Sequence, residues 1–446
     1  MQVKEKNILP FFKASLLATL FLFMVKLATG NFFYLQEAAL ACYGISFLLL
    51  LGKPPINLKE KWKGNYCFFI LLAMYILWDL FTLFYSPARE HFMAKYKVVI
   101  MMAAIAASFF LVTWDRGWVR KVLAAAGSAG VAVALLTLLN YTVLHLFPLY
   151  YTRRLSLRAD YNMFASVLFF SFIILFFLIT TGQGSCSSML WKISLLAAAE
   201  LPVLILSGSR RYFVLLFPVA LVLAGDFIWL TTKRKEATCP WWKAAAVLTV
   251  AAAVVFCLGL LYGEYLKQNE AKLQVLPQAQ GFAQGEALPQ ERYSTMAQAG
   301  QTSKRKLIWQ TVIRELNTFT GQEWLIGRGF CYDNYFLRCS KSLELMEAYP
   351  QEMQAVLSAH SFWLADLLNG GIVKLFLAAA LWLCIGAKLF FLLKREPYWG
   401  QLYWACFLTI LLNNTISNRY GFLYDKMFWL FCLLLCGEEK ARVIRK

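Results

Sequence analysis

Arg210 and Arg211 stand between two long apolar segments, in the stretch Leu206-Ser207-Gly208-Ser209-Arg210-Arg211. A guanidinium carries a forked set of donors that can hold two oxygens of a phosphate at once. If a helix starts at this pair, the exposed N–H groups of its first turn add donors for the same anion. Without an anion, two cations there are mildly unfavourable, because the helix macrodipole is already positive at that end. Arginines at this position also serve as interface anchors among lipid headgroups. The local pattern serves both readings equally.

Arg153, Arg154 and Arg158 form a second basic group, followed by Asp160 and Asn162 at the start of another apolar segment. Lipid anchoring is the first reading for Arg153 and Arg154. Arg158 and Asn162 would share a helix face if the helix begins early, and Asn162 can simply cap it. Of the 3 histidines, His91 and His145 read as structural, and His360 opens a late apolar segment. Trp363, Leu364 and Leu367 fall on its side of a helix there, and Asp366 lies too far around to orient it. Such a histidine is more often an interface residue, but an imidazole titrates near neutral pH and can take a proton from a hydroxyl. Asp79 and Glu200 lie within or near apolar segments, where ionisable groups are functional suspects, and neither has a partner nearby in sequence.

From Thr302 or Ser303, either of which can cap a helix, a helical pattern runs to about Phe319. At 100° per residue, Arg305, Ile308, Trp309, Val312, Leu316 and Phe319 form one stripe, with Arg314 opposite. A charge on an apolar face needs a partner, which singles out Arg305, whereas Arg314 is an ordinary solvated cation. Gly327-Arg328-Gly329 predicts a tight turn. The sequence shows no Ser-His-Asp arrangement, no paired carboxylates in the loops and no Cys/His cluster for a metal. Of the 11 cysteines, Cys331 and Cys339 share one loop and can either pair or stay as thiols. Several arginines, one histidine and some amides suit binding of a diphosphate leaving group and deprotonation of an attacking alcohol, with no metal and no cofactor.

These residues must be positioned by membrane helices. Of 446 residues, 60% are hydrophobic and 15% charged, beyond what a soluble chain of this size carries. A hydrocarbon core of about 30 Å needs about 20 apolar residues per helix. Twelve stretches are candidate spans, several of them shorter or longer than that, near 10–28, 33–51, 66–85, 98–113, 122–147, 161–181, 191–206, 212–230, 244–263, 361–386, 401–416 and 422–436. The expected fold is therefore an all-α polytopic membrane protein. Residues 1–263 hold the first nine helices, 264–360 one large external loop with helices of its own, and 361–446 the last three helices and a tail. Within the loop, Lys267 to Gln301 is rich in Gln, Ala and Gly and predicts a mobile segment.

Alternate connections carry Lys53, Lys59, Lys61 and Lys63, then Arg116, Arg120 and Lys121, then Lys233 to Lys243, then Lys394 and Arg395. The positive-inside rule makes these connections, and both termini, cytoplasmic. The net charge of +19 is then mostly an orientation signal with affinity for anionic lipid, not a nucleic-acid footprint. No cytoplasmic segment is long enough for a nucleotide-binding domain.

Four segments, in order, resemble the O-antigen ligase and O-antigen polymerase family of bacterial membrane glycosyltransferases. Arg158 to Ala165 is similar to its Arg…Asn-x-x-Ala segment, and Ser207 to Arg211 to its Ser/Thr-Gly-Ser-Arg motif. Arg305 to Trp309, followed by Gly327-Arg328-Gly329, resembles its Arg-x-x-x-Trp…Gly-x-Gly stretch. Ala359-His360-Ser361, with Gly370 and Gly371, resembles its Ala-His-Asn…Gly motif, with Ser361 in place of the usual Asn. The resemblance covers roughly residues 158–371. It implies a GT-C-like enzyme of the bacterial cytoplasmic membrane, acting at the outer face. The donor would be a glycan on undecaprenyl diphosphate, transferred with inversion and without metal to a glycan, lipid or wall-polymer acceptor. Arg210 and Arg211 would bind the diphosphate, helped by Arg305 and Arg158, and His360 would be the base.

Polymerase and ligase differ only in the acceptor, and the sequence leaves both open. A flippase for the same lipid-linked sugars is the competing reading; it predicts inverted repeats and charges deep in the bilayer. A scaffold of an envelope assembly complex is the third.

Overall fold

The computed structural model describes residues 2–30, 33–51, 58–91, 116–147, 149–158, 160–182, 185–216, 241–274, 304–338 and 358–417, with isolated residues elsewhere. Among the described residues all regular structure is helical. The first helices are α1 (Gln2–Thr29), α2 (Phe33–Leu51), α3 (Leu58–Leu83) and α4 (Arg116–Leu139). Next come α5 (Tyr161–Thr180), α6 (Cys186–Leu206) and α7 (Trp241–Gln268). Then follow α8 (Lys304–Leu316), α9 (Gly321–Ile326), α10 (Tyr332–Arg338), α11 (Phe362–Arg395) and α12 (Pro397–Ser417).

Six of these elements are long and apolar enough to cross a membrane, namely Pro10–Thr29, Asn65–Leu83, Gly117–Leu144, Tyr161–Thr180, Ser187–Leu206 and Phe362–Arg395. They coincide with six of the expected spans. The expected spans at 33–51, 244–263 and 401–416 are helical as α2, α7 and α12. Those at 98–113, 212–230 and 422–436 lie largely outside the described residues, as does most of the Gln-rich segment.

The chain divides into two compact units. The first comprises Met1–Pro54 and Arg116–Ala297, the second Pro55–Asp115 and Gln298–Lys446. The expected external loop is thus shared between them.

In the first unit α5 is central. Its sequence is apolar all round, so no face is suited to water, and it packs against α1, α4 and α6. At one end of this unit the Lys13 and Lys121 ammonium groups lie over the Trp118 ring, 4.6 and 4.3 Å from its centroid. Arg120 donates there to Thr181 at 3.1 Å. At the other end α4 runs into a π-helical turn, Asn140–Leu144, closed by His145 in the left-handed region at φ 48°. The connections around Thr29, Arg158, Leu206 and Glu270 gather at this second end: Arg158 donates to the Leu27 carbonyl at 2.6 Å and Leu155 N–H to the Leu206 carbonyl at 3.0 Å.

The second unit is built on α3, α11 and the loop helices. α11 is not one continuous rod. Gly371 has φ 66° and ψ −164°, which breaks the helix inside the apolar segment. A break frees backbone carbonyls that lipid cannot satisfy. Three of them have partners: Leu368 and Asn369 accept from the N–H groups of Arg328 and Gly329, at 2.9 and 3.0 Å, and Gly370 accepts from Trp78 Nε1 at 2.9 Å. The predicted Gly-Arg-Gly turn is therefore the plug of a broken span. Both Gly327 and Gly371 have positive φ, and a Cβ on Gly371 would stand 2.6 Å from Gly327 N.

The helix expected from residue 302 to about Phe319 ends at Leu316, and α9 follows with a capping box between Thr320 and Glu323. The stripe is as expected in its apolar members. Ile308, Val312, Leu316 and Phe319 are buried in one cluster with Ala359, Ala365 and Leu368, while Arg314 is exposed.

Candidate functional site

In the first unit, Asp160, not Asn162, caps α5; its carboxylate accepts from the N–H groups of Asn162 and Met163. The helix therefore starts at Tyr161, Arg158 remains in the connection, and the shared helix face with Asn162 does not form. Instead the Asn162 carbonyl oxygen accepts from Ser209 Oγ at 2.9 Å. Ser207 ends α6, Gly208 takes φ 70°, and the Ser209 carbonyl accepts the first bond of the next helix, from Phe213 N–H at 3.2 Å. Arg210 and Arg211 are thus the first two helical residues, half-buried, beside a backbone made rigid by small polar residues. The Arg158–Asn162 segment and the Ser207–Arg211 segment meet through the Ser209–Asn162 bond.

Arg153 and Arg154 both have partners within the protein. Arg153 pairs with Glu270 at 2.7 Å. Arg154 is only 5% exposed, and its guanidinium lies over the rings of Tyr151 and Tyr161 at 4.1 and 4.8 Å. Aromatic faces attract a cation through their quadrupole, and here they hold it inside the protein.

In the second unit, Trp309 Nε1 donates to the Ala359 carbonyl at 3.0 Å. This bond fixes α8 against the strand of chain that carries His360. Arg305 lies one turn before Trp309 on the same face and is half-buried. His360 is not part of α11. It precedes the cap residue Ser361 and takes φ 51°. The helical-face argument from sequence therefore does not apply to it; Leu364 and Leu367 pack on the α8 cluster, and Trp363 donates to Thr415 at 3.1 Å. A non-glycine residue at positive φ is uncommon and is held there by its surroundings. Asp366 accepts from Tyr75 at 2.7 Å and lies 3.4 Å from the Lys374 ammonium.

Arg328 is occupied. It pairs with Glu315 and with Glu323 at 2.8 Å, donates to Tyr332 at 2.9 Å, and lies over Phe319 at 4.4 Å. The hydrogen bond from Arg328, with that from Thr320, holds the Glu323 carboxyl below the usual glutamate range. Burial and the Glu315 carboxylate raise the Tyr332 phenol to about 12.

The sequence singled out Asp79 and Glu200 without partners, and the structure supplies them. Glu200 is fully buried and takes a hydrogen bond from Ser171 at 2.5 Å. Asp79 pairs with Lys374, whose ammonium also lies 3.4 Å from Asp366. Lys374 escaped notice, although a lysine inside an apolar run was the signal. Cys331 is buried, and Cys339 lies outside the described residues. No group of three or more metal-ligating side chains occurs among the described residues.

Helices of this length and apolarity, with ionisable side chains held inside, define a multi-pass helical membrane protein. No protein-family model matches the chain, and no curated protein matches it.

Proposed function

We propose that the protein is a membrane glycosyltransferase of the O-antigen ligase and polymerase type. It transfers a glycan from an undecaprenyl-diphosphate donor to an acceptor hydroxyl at the outer face of a bacterial cytoplasmic membrane, on a GT-C-like scaffold of about twelve spans. Arg210 and Arg211 bind the diphosphate, with Arg305 and Arg158 as further cations, and His360 takes the proton of the acceptor hydroxyl. The donor's energy resides in its diphosphate bond, so the reaction uses no nucleotide.

One observation carries this reading. Motif residues far apart in sequence are hydrogen-bonded within each unit: Ser209 to Asn162 across 47 positions, and Trp309 to Ala359 across 50. Chemistry shared by those segments accounts for both pairings. Arg158 supports the reading less, because one of its donors serves Leu27.

The test is glycan transfer by purified protein, supplied with a lipid-diphosphate donor, in Arg210→Ala and His360→Ala variants. Each is expected to lose on the order of a hundredfold or more in rate, with Arg314→Ala near wild type. Full activity in both variants overturns the assignment.

The flippase reading gains one specific observation, since a broken span beside buried charges is common in transporters. Against it, the freed carbonyls of the break accept from the Arg328–Gly329 turn and Trp78. Movement of a lipid-linked sugar across liposomes without a new glycosidic bond would decide for the flippase.

A further inference from the structure

Beneath the break in α11 lies a group of ionisable side chains that the proposed reaction does not use. Asp79 on α3 and Asp366 and Lys374 on α11 are 2%, 1% and 4% exposed. The Lys374 ammonium pairs with Asp79 and lies 3.4 Å from Asp366 Oδ1. Each carboxyl also has a tyrosine donor: Tyr75 gives its hydroxyl to Asp366 at 2.7 Å, and Tyr96 gives its own to Asp79 at 3.0 Å. The Lys374 ammonium stands 5.1 Å from the Tyr75 ring centroid. From the Gly329–Asp333 turn, the Cys331 thiol lies near enough to Lys374 to interact electrostatically. Asp333 Oδ1 accepts hydrogen bonds from Asn334 and Asn369.

Charge counting makes this group unusual. Among the described residues two carboxyls share one ammonium, so full ionisation leaves one negative charge enclosed between apolar helices. An enclosed charge without a partner is strongly disfavoured. Asp366 Oδ2 is also a buried oxygen with no hydrogen-bond partner. A metal cation is a poor candidate to balance the charge, because the Lys374 ammonium already occupies the place between the carboxyls.

We propose that the Asp79–Lys374–Asp366 cluster is a proton-binding site holding one dissociable proton on its pair of carboxyls. The site lies where the C-terminal end of α3 meets the N-terminal end of α11: Asp79 is in the last turn and a half of α3, and Asp366 in the first turn and a half of α11. Ionisable groups placed this way in membrane helices are typical of proton relays. The inference is independent of glycosyl transfer.

The experiment is infrared spectroscopy of the full-length protein in lipid nanodiscs at neutral pH, with aspartate alone labelled with carbon-13 at the side-chain carboxyl. The label excludes Glu200, and the signal is assigned to the cluster by its loss in the Asp79 and Asp366 variants, with Asp333→Asn as the control for the further buried aspartate at Asp333. Wild type is expected to show one protonated aspartic acid. Asp79→Asn and Asp366→Asn each leave one carboxyl for one ammonium, and each should abolish that signal. Lys374→Met removes the cation and should double it. No protonated aspartic acid in wild type, or its persistence in both Asn variants, overturns the proposal, as does an unchanged signal in folded Lys374→Met. Should Lys374→Met fail to fold, wild-type protein still decides the matter through carbodiimide modification mapped by mass spectrometry. That reagent attacks protonated carboxyls in apolar surroundings; adducts on Asp79 or Asp366 are expected, and their absence from both counts against the site.

Discussion

Gly327 and Gly371 meet backbone to backbone: a Cβ placed on Gly371 would lie 2.6 Å from Gly327 N. One belongs to the turn after α9, the other to the break in α11, and both have positive φ. The turn donates two N–H groups to carbonyls that the break exposes.

Alanine at either glycine should therefore be costly. Gly327→Ala or Gly371→Ala imposes backbone strain of roughly 1–3 kcal/mol, and the steric clash adds to it. Thermal unfolding in detergent should show a lowered midpoint for both. Gly259→Ala serves as the control, because nothing lies within 4 Å of its added Cβ and its φ is ordinary. Equal midpoints for all three variants would refute the backbone contact.

The α8 cluster should respond as a packed core does. Ile308 is 0% exposed among Val312, Leu316 and Ala359. Ile308→Ala is expected to cost about 2–5 kcal/mol, visible as faster proteolysis between residues 304 and 338. Ile313→Ala, on the exposed face at 51%, should change proteolysis little.

The Trp309–Ala359 bond offers a finer test of the catalytic reading. Trp309→Phe keeps most of the ring but removes the donor, a net loss of about 1 kcal/mol of stability. If that bond positions the His360 segment, the transfer rate should fall further than stability alone explains. A rate that tracks stability would make Trp309 a packing residue only.

Acid should loosen the corner at Arg328. Glu323 has its carboxyl lowered in the folded protein, chiefly by the Arg328 hydrogen bond. A depressed carboxyl adds stability above its ordinary value and loses it as the pH falls through the lower, folded value. Hydrogen-exchange protection of residues 320–332 should accordingly hold above about pH 4.5 and decline below it. Arg328→Gln should lower that protection at neutral pH and flatten its dependence on acid, because Glu323 and Glu315 lose their shared cation. A variant with the wild-type acid profile would remove Arg328 from the explanation.

The residues themselves determined the helical class, most of the helices and the start of a helix at Arg210, because these follow from the length and periodicity of apolar runs. The stripe on α8 was readable in the same way, and Thr320 with Glu323 has the spacing of a capping box, legible in the sequence alone. Tertiary structure decided the rest. Asn162 was assigned to a cap or a shared face, but Asp160 took the cap and Ser209, 47 positions on, took the amide. Arg153 finds Glu270, and Arg154 two tyrosine rings, only in the folded chain. The lysine that balances Asp79 comes from α11, and the break at Gly371 is sustained by N–H groups from a distant turn. Local sequence fixes periodicity and backbone preference over a few residues. Which buried donor, acceptor or charge satisfies another is settled only when remote segments share one interior.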